Sequence, residues 1–346
     1  MENKKYKTVL IGTGRIGFLL GFDKKREQPA SHTMALLKNK KIELCAGCDT
    51  DLERLKIWQK YVKSHGSKGL VFESGGELYK NIKKIDIAVV AVNENAHLEE
   101  CIRAIEARPR LVILEKPVAL NSFEAQKIAG CAEKNKVPVM VNHERRFDKN
   151  YALAMQWMEK IGEIQKVEAE LDSGLRIYAK EFEKDGTYSL LHDGTHLVDI
   201  VRFLCGTELE KPVVTGVFKD EKKIVRNFCA HYNFCKSEKF GDVPEICIKM
   251  SGRSKFFEFR IEILGTEGKI CIGNGIADFY LRKQSKLYTG FYSLEKQKAR
   301  LPKKTQYFSG MVENAVCFLD GNMPLLSPLK EAIEDLKVLE EIKEKL

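Results

Sequence analysis

The sequence predicts an α/β domain with a parallel sheet, followed by an α+β domain with a large, mostly antiparallel open sheet. A chain of 346 residues is too long for one ordinary hydrophobic core. Its first part alternates helix-like segments with continuous apolar segments, which is typical of parallel strands covered on both faces. The predicted strands are 7–12, 41–49, 85–92, 110–117 and 137–142, with helices at 96–107 and from about 122. We place the domain boundary between the segments 1–143 and 144–346.

The second domain has a different pattern. After two helical stretches, polar and apolar residues alternate, as expected for an antiparallel sheet with one buried face. The predicted strands are 166–174, 212–220, 227–235, 245–252, 257–265, 269–275 and 277–283, and helices near 308–319 and 327–345 close the chain.

Composition excludes several classes of function. Hydrophobic residues make up 44% and charged residues 31%, with a net charge of +9. The lysines are interleaved with acids and form no basic stripe with aromatics, so we expect no nucleic-acid partner. No apolar run reaches the ~18 residues of a membrane span, and no signal peptide is visible, so we expect a cytoplasmic protein. The 10 cysteines are scattered, which suits reduced thiols better than a disulfide framework.

The first predicted strand leads into the sequence GTGRIG, which contains Gly12, Gly14 and Gly17. In a dinucleotide-binding Rossmann fold, the first glycine makes a tight turn and the second lets the backbone approach a pyrophosphate. The third lets a helix pack on the sheet. An apolar helical pattern follows, so we predict a dinucleotide site that also includes Arg15 and Ile16.

Asp49 follows the second predicted strand. An acid at this place can accept hydrogen bonds from ribose hydroxyls and repels a 2′-phosphate, which favours NAD over NADP. The alternative is a solvent-facing strand-end acid. The segment 21–32 looks inserted before this strand, with Pro29 interrupting the first helix and Ser31 capping its restart.

A predicted helix at 189–204 carries two histidines four residues apart. His192, His196 and Asp199 share one face, opposite an apolar stripe of Leu190, Leu197, Val201 and Leu204. The pair has three interpretations: a metal site, acid–base catalysis, or two satisfied structural histidines. We expect no metal site, because no third histidine has a suitable spacing and Gly194 weakens the helix.

Five segments together resemble the Gfo/Idh/MocA oxidoreductases, the glucose–fructose oxidoreductase and inositol dehydrogenase family. The most specific is a Glu-Lys-Pro at the end of a predicted strand, and the order of the segments is also that of the family. They are AVNENAH (91–97), LEKP (114–117), NHERRFD (142–148), LLHDGTHLVD (190–199) and ILGTEGKI (263–270). The resemblance covers most of the chain, and it implies that the open face of the second sheet forms a homodimer or homotetramer interface.

The resemblance also implies roles for individual residues. His196 matches the catalytic histidine, and Lys116 matches the lysine that hydrogen-bonds the reacting oxygen. His192 stands where the family usually has aspartate, so we expect it to hydrogen-bond the substrate or share the proton. Further cofactor contacts are expected at the strand ends, from Ala91, Asn93 (in place of the usual proline), His97, Glu115 and Lys116. Arg146 and Arg176 are candidates for substrate binding or for structural salt bridges.

The sequence therefore predicts an NAD-dependent oxidoreductase that acts on a hydroxyl or keto group of a sugar, cyclitol or sugar derivative. Histidine suits the proton transfer because its pKa starts near neutrality. Two alternatives remain: a glycoside hydrolase that uses transient oxidation by NAD, and a non-catalytic dinucleotide-binding regulator. Such regulators tend to lose the lysine that is present here as Lys116.

Overall fold

The structure, a computed structural model, describes residues 5–174, 187–237 and 239–346. The chain divides into two compact units, and each contains two stretches of sequence. The first unit comprises residues 1–148 and 304–334, and the second comprises 149–303 and 335–346. The first division lies five residues from the predicted boundary. The segment 304–334, which the prediction gave to the second domain, belongs to the first unit.

The first unit is built on a six-stranded parallel sheet in the order β3-β2-β1-β4-β5-β6. Its strands are β1 (Tyr6–Ile11), β2 (Ile42–Cys48), β3 (Leu70–Phe72), β4 (Ile87–Val90), β5 (Leu111–Leu114) and β6 (Val139–Val141). Its helices are α1 (His32–Lys38), α2 (Leu52–Ser64), α3 (Gly75–Asn81), α4 (His97–Glu106), α5 (Ser122–Asn135) and, from the returning chain, α8 (Tyr307–Leu319). The Rossmann architecture is confirmed. The sequence analysis missed α2, β3 and α3.

Four helices of this unit begin at polar residues that satisfy a backbone amide. The side chains of Ser31, Asp51, Ser74 and Asn121 each accept a hydrogen bond from the amide three residues later. Capping of this kind stabilises a helix by about 1 kcal/mol. These caps fix where α1, α2, α3 and α5 start, close to the carboxyl ends of the strands.

The helix α8 belongs to the core of the first unit although it lies far away in sequence. Its residues Phe308, Met311 and Ala315 are buried in the same cluster as Leu10 of β1 and Ile113 of β5. The fully buried apolar side chains contribute about 1.5–3 kcal/mol each. The returning segment is therefore part of what stabilises the parallel sheet.

The second unit contains an eight-stranded sheet in the order β14-β13-β12-β11-β7-β10-β9-β8. Among the described strands, only the pair β7–β10 is parallel. The strands are β7 (Ile164–Gly174), β8 (Val213–Lys219), β9 (Val225–Ser237), β10 (Gly241–Ser251), β11 (Arg253–Gly265), β12 (Gly268–Gly273), β13 (Ile276–Gln284) and β14 (Tyr292–Lys296). The predicted mostly antiparallel sheet is confirmed, with β14 as an additional edge strand.

One face of this sheet is covered by helices. These are α6 (Lys149–Met158), α7 (Thr187–Cys205) and the last part of α9 (Leu329–Lys343), a helix that crosses the division between the units. Leu197 and Val201 of α7 are fully buried with Ile248 of β10 and Ile261 of β11, which agrees with the predicted apolar stripe. Among the described residues, no helix has the length and apolar character that crossing a membrane requires.

Candidate functional site

Two glycines hold the chain in a sharp turn directly after β1. Gly12 has φ +92°, which favours glycine, and a Cβ built on it would lie 2.4 Å from the Ala91 carbonyl oxygen. A Cβ on Gly17 would lie 2.1 Å from the Gly12 carbonyl oxygen. Backbone atoms therefore occupy the space that a side chain would need at both positions. The predicted reasons for these glycines, a tight turn and close packing, agree with the geometry.

Gly14 differs from the other two, because a flexible side chain rather than backbone lies beside it. Among the described residues, the only atom within 4 Å of a Cβ built there is Nη1 of Arg54, at 3.3 Å. Arg15 is exposed and Ile16 half-buried in the same turn. A backbone that a ligand can approach closely, at the carboxyl end of β1, fits the pyrophosphate of a dinucleotide.

The helix after the glycines is interrupted. The amides of Phe18 and Leu19 donate to the Gly14 carbonyl at 2.9 and 3.0 Å, and a short 3₁₀ helix, Leu19–Phe22, follows. The chain then forms an irregular loop, residues 23–31, and the helix resumes as α1. There the His32 amide donates to the Ile16 carbonyl at 3.1 Å, and the Thr33 amide donates to the Gly17 carbonyl at 2.9 Å. The loop 23–31 thus divides the helix that follows the glycines into two segments, as the predicted insertion implies.

Asp49, the acid after β2, is bound to the glycine turn. Its Oδ2 accepts hydrogen bonds from the Thr13 amide at 2.8 Å and from the Thr13 hydroxyl at 3.0 Å. Nη1 of Arg54 lies 3.4 Å from the same oxygen, and the Asp49 side chain is 7% exposed. The carboxylate is therefore not a bare solvent-facing acid. It fixes the turn, and it also holds a guanidinium beside Gly14.

The carboxyl ends of β4 and β5 are joined by a buried histidine. The ring of His97 lies 2.7 Å from the Pro117 carbonyl oxygen through Nδ1 and 3.2 Å from the Val92 carbonyl oxygen through Nε2. Burial lowers the pKa of His97, which favours the neutral ring, and the shorter contact fits an Nδ1–H that donates to the Pro117 carbonyl. This histidine holds the backbone beside Lys116. Its predicted contact with the cofactor, like those of Ala91 (buried) and Asn93 (exposed), stays a prediction.

Glu115, which precedes the half-buried Lys116, is held by two buried side chains. Its Oε1 lies 2.5 Å from Nε2 of His32 and accepts a hydrogen bond from Nδ2 of Asn142 at 2.6 Å. Burial would raise the pKa of the Glu115 carboxyl, but His32, Asn142 and Lys116 outweigh burial and lower it. The carboxylate fixes the backbone that carries Lys116 through contacts with α1 and the end of β6.

Arg146 contacts the returning chain. Its Nη1 donates to the Leu326 carbonyl at 2.9 Å, and its Nη2 lies 3.7 Å from Oε2 of Glu331. The guanidinium is buried. These contacts support the structural alternative for Arg146, and its role in substrate binding stays a prediction.

In the second unit, α7 presents the predicted histidine pair. His192 and His196 are half-buried, whereas Asp199, one turn on, is completely buried. A Cβ on Gly194 would lie 2.8 Å from Cε of Met250, so this glycine lets the helix pack closely on β10. Arg176, the other predicted substrate contact, lies outside the described residues.

Three residues of this arrangement were missed from the sequence: His32, Arg54 and Asn142. Asn142 ends a predicted strand that neighbours the LEKP strand, so its place at the same sheet edge offered a signal. Arg54 lies five residues after Asp49, in the first turn of the helix that follows. No signal in the sequence indicated His32, because its contact with Glu115 depends on the path of the loop 23–31.

A glycine turn after β1, an acid after β2 and a Glu-Lys-Pro after β5 define a dinucleotide-binding oxidoreductase of the Rossmann class. Residues 6–143 match the family model described as an oxidoreductase family with an NAD-binding Rossmann fold. In this segment the chain is thus similar to the Gfo/Idh/MocA oxidoreductases.

Curated relatives and solved structures agree with this assignment. The chain is 23% identical over 247 residues to the rhizopine catabolism protein MocA of Rhizobium meliloti, an alignment that covers 65% of this chain and 67% of that protein. It is 27% identical over 205 residues to scyllo-inositol 2-dehydrogenase (NAD(+)) of Bacillus subtilis (strain 168), so it spans about half of that enzyme (55% of each chain).

The similarity in fold extends over the whole chain. The WlbA dehydrogenase of Bordetella pertussis, crystallised with NADH and UDP-GlcNAcA, superimposes with a TM-score of 0.71 at 18% identity. The alignment covers 99% of this chain and 96% of that one. At this level of identity, the comparison defines the fold of both units.

Proposed function

We propose that the protein is an NAD-dependent dehydrogenase that transfers hydride between the cofactor and a secondary hydroxyl or keto group of a sugar, cyclitol or sugar derivative. The observation that carries the proposal is the glycine turn around Gly14, where no backbone of the described residues fills the space of a side chain and which Asp49 holds from the neighbouring strand. The names of the relatives support the substrate class, because one is an inositol dehydrogenase.

Asp49 supports NAD rather than NADP. Its carboxylate is an acceptor for ribose hydroxyls and a charge that repels a 2′-phosphate. Arg54 acts in the opposite sense, because a guanidinium near the ribose can accept a 2′-phosphate. Asp49 and Arg54 lie 3.4 Å apart. The carboxylate thus partly neutralises the guanidinium, which favours NAD.

The nicotinamide ring, when bound, exchanges a hydride with the substrate carbon. We assign the accompanying proton transfer to His196, whose imidazole can take the hydroxyl proton. Lys116 donates a hydrogen bond to the reacting oxygen and stabilises developing negative charge. His192, which replaces the aspartate usual in the family, hydrogen-bonds the substrate or shares the proton. We also propose a cytoplasmic homodimer or homotetramer that associates through the second sheet.

The first test is a fluorescence titration with NADH and NADPH in parallel, on the wild type and on Asp49→Asn. Tighter binding of NADH is expected for the wild type. Loss of a charge-assisted hydrogen bond costs about 1.5–3 kcal/mol, so Asp49→Asn should bind NADH roughly 10–100-fold more weakly while binding of NADPH improves. Binding of neither cofactor by the wild type would refute the proposal.

The control separates specificity from support of the turn. Thr13→Val removes the hydroxyl contact with Asp49 but keeps the carboxylate, so it should weaken both cofactors by the same factor. If Asp49→Asn also weakens both equally, the acid only braces the turn, and the NAD preference must come from elsewhere.

The second test addresses the chemistry. With a substrate found by screening sugars and cyclitols, His196→Ala should lower turnover roughly 10²–10⁴-fold. An unchanged rate would remove His196 as the base. Release of a free sugar from a glycoside, with no net reduction of NAD, would identify the hydrolase alternative. Tight NADH binding without turnover of any substrate would favour the regulator.

A further inference from the structure

Three side chains that bind soft metals meet on the second sheet. Cys229 and His231 lie on β9, Cys247 lies on β10, and one ligand atom from each lies within 4.8 Å of the other two. All three residues are half-buried. In the strand register Cys247 is directly opposite His231, and Cys229 is two residues along the same face. The arrangement supplies two sulfurs and an imidazole, the donor set that zinc prefers.

The spacing is close to that of a metal site. The two Sγ atoms are 3.0 Å apart. In a tetrahedral zinc site two sulfurs at about 2.3 Å from the metal lie roughly 3.8 Å from each other. A small rotation of each half-buried side chain supplies the difference of less than an ångström.

The strand register disfavours a disulfide between these cysteines. Cys229 is paired with Lys249, and Cys247 with His231, so the two cysteines are diagonal neighbours. Diagonal neighbours have Cα atoms about 7–8 Å apart, beyond the usual disulfide range of roughly 4.4–6.8 Å. A metal ion can bridge this separation, because its two metal–sulfur bonds together span more distance than a single S–S bond.

The surroundings favour a cation. In the strand register Cys247 is paired with Glu168 of β7, and Glu245 lies two residues before it on the same face of β10. Those two carboxylates disfavour a second negative charge but attract a dication. The nearby Lys249 has a carboxylate partner, because its Nζ lies 3.1 Å from Glu170.

A second contact orients the histidine. Thr215 Oγ1 lies 3.0 Å from Nε2 of His231. Histidines that bind metals are usually held in this way through the other ring nitrogen, which fixes the tautomer of the ring. With Nε2 engaged by Thr215, the Nδ1 nitrogen is the one suited to bind the metal.

We propose that Cys229, His231 and Cys247 bind a zinc ion, with the fourth position open to water or another ligand. On binding, two Zn–S bonds and one Zn–N bond form, the two S–H bonds break, and the two thiol protons pass to solvent. The site differs from the sequence expectation of no metal. It does not depend on the proposed dehydrogenase activity, because none of the three residues has a role in that chemistry.

The test is titration of the reduced, chelator-treated protein with Co²⁺, followed by competition with Zn²⁺. A thiolate-to-cobalt charge-transfer band that saturates at one equivalent per chain, and that zinc abolishes, is expected. Cys229→Ser and His231→Gln should each weaken binding by more than the ~10–100-fold typical of an outer-shell change, and Thr215→Val by about that factor. Cys271→Ser is the matched control, a half-buried cysteine in the same cross-strand row that should change nothing.

A second measurement uses the wild-type protein and so does not depend on whether the variants fold. Zinc should slow alkylation of Cys229 and Cys247, measured by peptide mass spectrometry, and leave Cys271 unaffected. Absence of the cobalt band, equal protection of all cysteines, or a Cys229–Cys247 disulfide under air would each overturn the proposal. None of these results bears on the NADH titration, so the two proposals fail separately.

Discussion

Replacing His32 by alanine tests how strongly His32 stabilises the buried Glu115 carboxylate next to Lys116. In the wild type His32 Nε2 lies 2.5 Å from Glu115 Oε1, and the two side chains are 0% and 7% exposed. Removing a hydrogen-bond partner of a buried carboxylate costs about 3–5 kcal/mol, because the carboxylate charge stays desolvated. Asn142 still donates to the same oxygen. We therefore expect the lower end of that range, ~3 kcal/mol at neutral pH.

The sign of the pH dependence follows from the pKa of Glu115. Burial raises this pKa, but His32, Asn142 and Lys116 together bring it below its ordinary value. A carboxyl with a lowered pKa stabilises the fold above its ordinary pKa of about 4.3, and this contribution is lost as the pH falls through the lowered value. The difference in stability between the wild type and His32→Ala should thus be largest near neutral pH and shrink below about pH 4.3.

The assay is thermal unfolding of both proteins across this pH range. For a unit of this size, ~3 kcal/mol corresponds to roughly 6–12 °C in Tm. Adding Glu115→Gln to His32→Ala should recover part of the loss, because the buried charge is gone. His65→Ala, at an exposed histidine that ends α2, is the control and should stay within about 0.5 kcal/mol of the wild type. A loss under ~1 kcal/mol, or one independent of pH, would refute the role assigned to His32 in stabilising the Glu115 carboxylate.

Three other substitutions separate binding from stability. Gly14→Ala should abolish NADH binding in a titration and change Tm little, because its Cβ would meet the flexible end of Arg54 at 3.3 Å but would have no room against a pyrophosphate; unchanged affinity would contradict this. Gly17→Ala should lower Tm, because its Cβ would lie 2.1 Å from the Gly12 carbonyl oxygen. Gly194→Ala should lower stability by about 1 kcal/mol in urea unfolding, since overpacking against Met250 at 2.8 Å exceeds the gain in helix propensity, and a stabilised variant would show that Met250 moves aside.

The parts of the fold that could be predicted are those fixed by short segments. Strands β1 and β2 are mostly apolar because both faces of the sheet are covered, and the glycine turn must follow a strand. Asp49 could be placed at the sheet edge for the same reason. Strand β3 has only three residues and strand β14 is mostly exposed, so neither carries a pattern long enough to be recognised.

The parts that could not be predicted depend on contacts between distant segments. The contact of His32 with Glu115 joins residues 83 positions apart. The cluster of Cys229, His231 and Cys247 has no zinc-finger spacing, and it forms only through the register of β9 with β10. Similarly, nothing near Arg146 indicates that its guanidinium binds a carbonyl 180 residues later.

The division of the chain has a consequence for how the protein is made. The chain leaves the first unit after Asp148, returns at Lys304 and leaves again after Glu334. Helix α8 is part of the core around the parallel sheet. The nascent first unit therefore lacks this helix until the ribosome has translated most of the second unit. Domains usually complete folding in the order of synthesis. Here synthesis of the nucleotide-binding unit begins first, but its folding can be completed only near the end of translation. Until then, the apolar surface that α8 covers is exposed to chaperones and proteases.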